Sequence, residues 1–119
     1  MDATTVLLVD DEKEFVDTLA ERIGIRSLCA QVAYSGEQAL EMITDTVPDV
    51  MVLDLKMPGI GGADVLARVK SAHPDVSIII LTGHGDKKDQ VLVEGMGASG
   101  YFQKPVDIDL LVAKIRVLG

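Results

Sequence analysis

Short, almost unbroken apolar runs rich in β-branched residues are the feature that most restricts how this chain can fold. Three clear runs lie at residues 6–9, 50–53 and 76–81. Runs without polar alternation predict strands that are buried on both faces, as in a parallel sheet covered by helices. Two weaker runs, at residues 29–33 and 100–103, predict shorter or edge strands.

Segments with helical spacing separate these runs. Their apolar residues recur three or four positions apart, which predicts amphipathic helices. The residues that form the four clearest stripes are Phe15, Leu19 and Ile23; Ala39, Leu40 and Ile43; Val65, Leu66 and Val69; and Leu110, Leu111, Ile115 and Leu118. A further helix over residues 86–96 is weakened by Gly95 and Gly97.

Helix boundaries can also be predicted from the sequence. Ser35 with Gln38 three residues later suits a capping box, and Asp107 suits an N-cap for the last helix. Pro48 and Pro74 are expected to stop the second and third helices. Strand followed by helix, five times over, predicts an α/β domain with a doubly wound parallel sheet and right-handed crossovers.

Length and charge limit the function classes. The chain has 119 residues, so we expect one domain over residues 1–119. Its net charge of −8 argues against direct binding of nucleic acid. The apolar runs are far shorter than the ~20 residues that cross a bilayer. A single cysteine and the lack of a signal-peptide pattern favour a cytoplasmic protein.

Polar residues follow four of the predicted strands at the edge where open α/β sheets bind ligands. They are Asp10, Asp11 and Glu12 after the first, Asp54 after the third, Thr82 after the fourth and Lys104 after the fifth. Two carboxylates 4 Å apart repel by about 4 kcal/mol at an effective dielectric of 20, so the cluster needs a cation. Mg²⁺ prefers such oxygen ligands, and a metal beside a carboxylate, an ammonium and a hydroxyl suits phosphoryl transfer.

This ordered set resembles the receiver domain of bacterial two-component response regulators. The matching residues are Asp10-Asp11, Asp54 with Met57-Pro58-Gly59, Thr82-Gly83, Tyr101 and Lys104-Pro105. The resemblance covers essentially the whole chain. It implies a flavodoxin-like, five-stranded parallel sheet of order 2-1-3-4-5 and a signalling switch, not an enzyme in the usual sense.

The resemblance also implies how the phosphoryl group is received. Asp54 would take it from a phosphohistidine of a sensor histidine kinase or phosphotransfer protein. Mg²⁺ would be held by Asp11, by Asp54 and by the backbone carbonyl of Lys56. Asp10 would act mainly through a metal-bound water.

The other residues that match the family pattern are implied to respond to phosphorylation. Lys104 would pair with phosphoryl oxygens, Thr82 would move to hydrogen-bond another, and Tyr101 would swing inward behind Thr82. The surface of the fourth helix, fifth strand and fifth helix would then change and control an output domain or a target protein. A transcriptional output, a free-standing receiver and a homodimer through this face all stay open, because an output domain would lie outside residues 1–119.

Some positions depart from or vary within the family pattern, and other interpretations of the site stay open. Gly61-Gly62 stands where an acidic helix cap is common, and Lys56 and His84 occupy positions that vary the lifetime of the acyl phosphate. Tyr101 could instead be ordinary edge-strand packing. A small-molecule phosphatase or phosphotransferase with an aspartyl phosphate would carry Asp-x-Asp, which this chain lacks at Asp54. A flavodoxin-like FMN carrier would not place acids at its phosphate loop.

Overall fold

Five strands and five helices alternate along the chain in the computed structural model, which describes residues 3–119. The strands are β1 (Thr5–Val9), β2 (Cys29–Ala33), β3 (Val50–Leu53), β4 (Ser77–Thr82) and β5 (Gly100–Gln103). The helices are α1 (Lys13–Ile25), α2 (Gly36–Asp45), α3 (Gly62–Ala72), α4 (Lys87–Gly95) and α5 (Ile108–Leu118). No helix in this part of the chain is long and apolar enough to span a membrane.

All strands are parallel, and their order is β2-β1-β3-β4-β5. This confirms the predicted doubly wound fold and the edge positions of β2 and β5. The fourth strand begins one residue later than predicted, because Val76 closes a turn by donating its N–H to the His73 carbonyl. Thr82, expected just after this strand, is its last residue.

Two apolar layers cover the sheet, and successive strand residues point alternately into them. Leu7 and Val9 of β1 belong to the layer under α2, α3 and α4. Val6 and Leu8 belong to the layer under α1 and α5. Burial on both faces explains why the central strands read as continuous apolar runs.

The predicted helix caps form, with one difference. Ser35 accepts a hydrogen bond from the Gln38 N–H at 3.0 Å, and Asp107 accepts from the first turn of α5. The Gln38 side chain, however, accepts from the N–H of Tyr34 at 2.7 Å and not from that of Ser35. Helix α4, predicted with less support, starts with a reciprocal capping box between Asp86 and Asp89.

The start of α3 explains the unusual Gly61-Gly62 pair. The N-cap residue is Gly61, which as a glycine has no side chain to accept a hydrogen bond from the first turn of the helix. A Cβ at Gly62 would collide with the backbone carbonyl of Asp54 and would lie 2.8 Å from the Cα of Leu55. Glycine therefore lets the first turn of α3 pack directly against the backbone that follows β3.

This contact predicts the effect of two glycine substitutions. Gly62→Ala should lower the free energy of unfolding by about 1–3 kcal/mol, because backbone atoms must move to admit the methyl group. Gly24→Ala in α1 is the matched control, since a Cβ there meets nothing within 4 Å. It should raise stability by about 0.5–1 kcal/mol. Urea denaturation measures both, and an unchanged midpoint for Gly62→Ala would contradict the close packing.

Candidate functional site

The central strands bring two buried acids side by side at the carboxyl edge of the sheet. Asp10 follows β1 and Asp54 follows β3, and these strands are neighbours. The Asp54 N–H donates to the Val9 carbonyl at 3.0 Å, which continues the strand pairing to the site. Asp10 is only 3% exposed and Asp54 only 2%. Such buried carboxylates need compensating charge.

Lys104, which follows β5, supplies part of that charge. Its Nζ lies 2.7 Å from Oδ2 of Asp10 and 2.8 Å from Oε1 of Glu12. The distance from Nζ to Oδ2 of Asp54 is 3.9 Å. The ammonium also lies 4.4 Å from the centre of the Phe15 ring, where a cation is attracted to the aromatic face. Lys104 is thus held mainly by Asp10 and Glu12.

The pKa shifts follow from this arrangement. Burial raises the pKa of the Asp10 carboxyl, and the charge of Asp54 raises it as well, against the opposing hydrogen bond from Lys104. The hydrogen bond from Lys104 lowers the pKa of Glu12. Burial alone would lower the pKa of the Lys104 ammonium, but its hydrogen bonds to Asp10 and Glu12 outweigh burial and raise it. Lys104 is therefore charged at neutral pH.

One carboxylate oxygen at the site is left without a partner. Oδ1 of Asp54 is buried and accepts no hydrogen bond from residues 3–119. One oxygen each from Asp10, Glu12 and Asp54 can be chosen so that all three lie within 4.8 Å of one another. Three carboxylates face one ammonium, and oxygen donors of this kind bind hard divalent cations. The acidic cluster therefore fits a metal site.

The structure brings together two of the four groups predicted for the metal site, Asp10 and Asp54. Asp11 is exposed in the turn between β1 and α1, and its carboxylate is not among the three that converge. Glu12 takes part instead, although the sequence analysis gave it no role of its own. The Lys56 side chain is exposed, and its Nζ lies 3.8 Å from Oδ2 of Asp89 at α4.

The predicted switch residues lie on the neighbouring strands β4 and β5. Thr82 is fully buried, and its hydroxyl accepts a hydrogen bond from the His84 N–H at 3.3 Å. The Tyr101 hydroxyl is buried without a hydrogen-bond partner among the described residues, so the ring already lies in the inward orientation that the resemblance assigns to the phosphorylated state. Burial raises the pKa of Tyr101, and the carboxylates of Asp89 and Asp86 raise it further.

Comparison with known proteins identifies the family. The family model for the response regulator receiver domain matches residues 6–116. The chain belongs to the response regulator receiver family. This family has a signalling role in two-component systems, so the chain is a signalling domain and not an enzyme.

Curated relatives of this receiver domain are longer proteins. The chain is 38% identical over 113 residues to the transcriptional regulatory protein CpxR of Klebsiella pneumoniae, covering 95% of this chain and 48% of that protein. It is 32% identical to the response regulator MprA of Mycobacterium ulcerans, covering 95% of this chain and 49% of that protein. The receiver domain thus spans about half the length of the curated relatives it matches.

Solved receiver structures share the fold closely. A receiver domain protein from Clostridium thermocellum superposes with a TM-score of 0.91 at 32% identity, covering 97% of this chain and 93% of that chain. A response regulator protein from Burkholderia pseudomallei has a TM-score of 0.88 at 25% identity, covering 94% of this chain and 66% of that chain. That crystal structure contains a phosphorylated aspartic acid, a calcium ion and citrate.

Because the acids are crowded, substitutions at Lys104 and at Asp54 should differ in their effect on the free energy of unfolding. Lys104→Ala should lower the free energy of unfolding by about 1–3 kcal/mol in EDTA, because it leaves buried carboxylates without their ammonium. Asp54→Asn should change it by less than about 1 kcal/mol, because it removes one of the crowded acids. Chemical denaturation measures both.

Two exposed positions serve as controls for that comparison. Lys88→Ala and Asp75→Asn alter the same residue types at exposed positions, and each should shift stability by less than about 0.5 kcal/mol. Strong unfolding of Asp54→Asn, or a Lys104→Ala midpoint equal to that of the Lys88→Ala control, would contradict the charge balance described.

Proposed function

We propose that this receiver domain accepts a phosphoryl group on Asp54 and signals through the surface formed by α4, β5 and α5. The donor is a phosphohistidine of a sensor histidine kinase or phosphotransfer protein. The observation that carries the proposal is the buried Asp54 carboxylate, which has one unpaired oxygen and stands 3.9 Å from the Lys104 ammonium. A carboxylate held in this way is a nucleophile with a neighbouring cation.

The transfer step needs only the Asp54 carboxylate and the phosphohistidine donor as reactants. An Asp54 carboxylate oxygen forms a bond to phosphorus as the phosphorus–nitrogen bond of the phosphohistidine breaks. The electron pair of that bond returns to the imidazole of the donor. Lys104 would then move its hydrogen bonds from Asp10 and Glu12 toward the phosphoryl oxygens, and Thr82 would hydrogen-bond another of those oxygens.

Oxygen ligands at this edge of the sheet would hold Mg²⁺ for this step. Asp11, Asp54 and the backbone carbonyl of Lys56 are the proposed direct ligands, with Asp10 acting through a water. Asp11 must turn inward from its exposed position to take this role. When bound, the ion would neutralise the carboxylates and the transferring phosphoryl oxygens. The related Burkholderia pseudomallei crystal structure, which contains a phosphorylated aspartic acid and a calcium ion, supports the proposal that a divalent cation accompanies this chemistry.

The output of the switch lies beyond the site itself. We propose that residues 1–119 form one receiver domain and that Thr82 and Tyr101 transmit phosphorylation to the α4-β5-α5 surface. That surface would control an output domain or a target protein, or mediate a homodimer. The name and the greater length of the CpxR relative support a transcriptional output carried by another domain. We propose a cytoplasmic location for this switch.

An intact-mass measurement tests the proposed acceptor. Incubation with a small acyl-phosphate donor and Mg²⁺ should add one phosphoryl group to the wild type. The adduct should be absent from Asp54→Asn and strongly reduced in EDTA, whereas the Asp75→Asn control should react like the wild type. Repeated turnover of the donor independent of Asp54 would contradict the proposal and favour a phosphatase. The absence of any adduct would indicate a receiver that acts as a constitutive binding surface.

A further inference from the structure

The loop between β4 and α4 passes very close to the predicted switch residues at Gly85. A Cβ at Gly85 would collide with the Tyr101 hydroxyl and would lie 3.0 Å from Cζ of the same ring. It would also lie 2.8 Å from the Cγ2 methyl of Thr82. The absence of a side chain at position 85 is therefore what makes room for both residues.

The backbone of Gly85 does not itself require glycine. The glycines with positive φ in the described chain are Gly59 and Gly97, and Gly85 is not one of them. Gly83, two residues earlier in the same loop, shows what an uncrowded position looks like. A Cβ there would meet only the Lys104 side chain, at an ordinary contact distance of 3.7 Å. The atoms nearest to a Cβ at position 85 belong to Tyr101 and Thr82, so these two residues impose the need for glycine.

The buried Tyr101 hydroxyl makes its position sensitive to this space. It has no hydrogen-bond partner of good geometry among the described residues, although the nearby Gln103 side chain opposes the rise of its pKa, so packing is the main interaction that keeps it inside. The Gln103 side chain, two residues along β5, donates to the Gly85 carbonyl at 3.3 Å. This hydrogen bond holds the loop against the strand that carries Tyr101. A methyl group at 85 would thus push on Tyr101 directly.

We propose that Gly85 is a positioning residue that keeps open the space which Tyr101 occupies in its buried orientation. Position 85 would then decide whether Tyr101 can lie inward, behind Thr82. The inference rests on the switch role given to Tyr101 under the proposed function. It adds to that function the residue which permits the inward state.

Tyrosine fluorescence can follow this orientation directly. The chain has two tyrosines and no tryptophan, so a Tyr34→Phe background leaves Tyr101 as the single fluorophore. In that background, Gly85→Ala should at least double the iodide quenching constant of Tyr101, because the ring moves toward solvent. The Gly83→Ala control should leave the constant within experimental error. An unchanged quenching constant in folded Gly85→Ala would overturn the proposal.

A double-mutant cycle tests whether the effect passes through the tyrosine hydroxyl. Tyr101→Phe removes the atom nearest to the added methyl group. The shift in urea midpoint caused by Gly85→Ala should therefore be at least halved when Tyr101→Phe is present. If Gly85→Ala alone does not fold, the double variant should recover folding. Equal shifts in both backgrounds, or a double variant that also fails to fold, would overturn the proposal.

Phosphorylation separates this inference from the proposed function. Gly85→Ala should still gain one phosphoryl group in the mass assay, because Asp54 and Lys104 are unchanged. Its amide resonances in α4, β5 and α5 should then lose most of the shift that phosphorylation causes in the wild type. A full wild-type shift in Gly85→Ala would overturn the positioning role. Failure of the wild type itself to accept a phosphoryl group would overturn the proposed function, while the fluorescence and the cycle still test Gly85.

Discussion

The ammonium of Lys104, shared among carboxylates at the carboxyl edge of the sheet, is the interaction on which the rest of the site depends. Asp10 and Asp54 are both almost fully buried, and unpaired buried charges are costly. The 2.7 Å contact with Asp10 removes part of that cost. The remaining negative charge, and the Asp54 oxygen that has no partner among residues 3–119, make the site chemically suited to a cation. Fold and chemistry are therefore linked through one side chain.

Sheet topology decides which side chain can bring a positive charge to these carboxylates. β1 and β3 are neighbours, whereas β5 is separated from β3 by β4. A cation that starts beyond β5 must therefore cross the ends of β4 and β3 to reach Asp10. The flexible side chain of Lys104 spans this distance, and its ammonium lies 4.4 Å from the centre of the Phe15 ring of α1. The aromatic residue that read as core in the helical stripe thus also supports the charged end of Lys104.

The strands, the helices and the residues that follow the strands could be predicted from the sequence. Strands buried on both faces leave continuous apolar runs, and parallel strands place their carboxyl ends at one edge of the sheet. Convergence of Asp10, Asp54 and Lys104 followed from those strands alone. The exchange of Glu12 for Asp11 in the carboxylate cluster could not be predicted, because it depends on how the chain turns into α1. The pattern around Gly62 indicated only a helix cap, and no local pattern singled out Gly85. Their reasons lie in contacts with Asp54 and Tyr101, far away in sequence, which no local pattern records.

The tight seat of α3 has a mechanical consequence for the whole domain. Gly62 packs directly against the backbone of Asp54, so we expect the end of β3 and helix α3 to move together as one rigid unit. Helix α4 is attached differently, since Val93 is its one buried residue and the Lys56–Asp89 pair that joins it to the site is exposed and weak. The domain is therefore rigid on one flank and compliant on the other. Displacing α4 would therefore disturb fewer buried contacts than displacing α3, which buries Gly62, Val65, Leu66 and Val69.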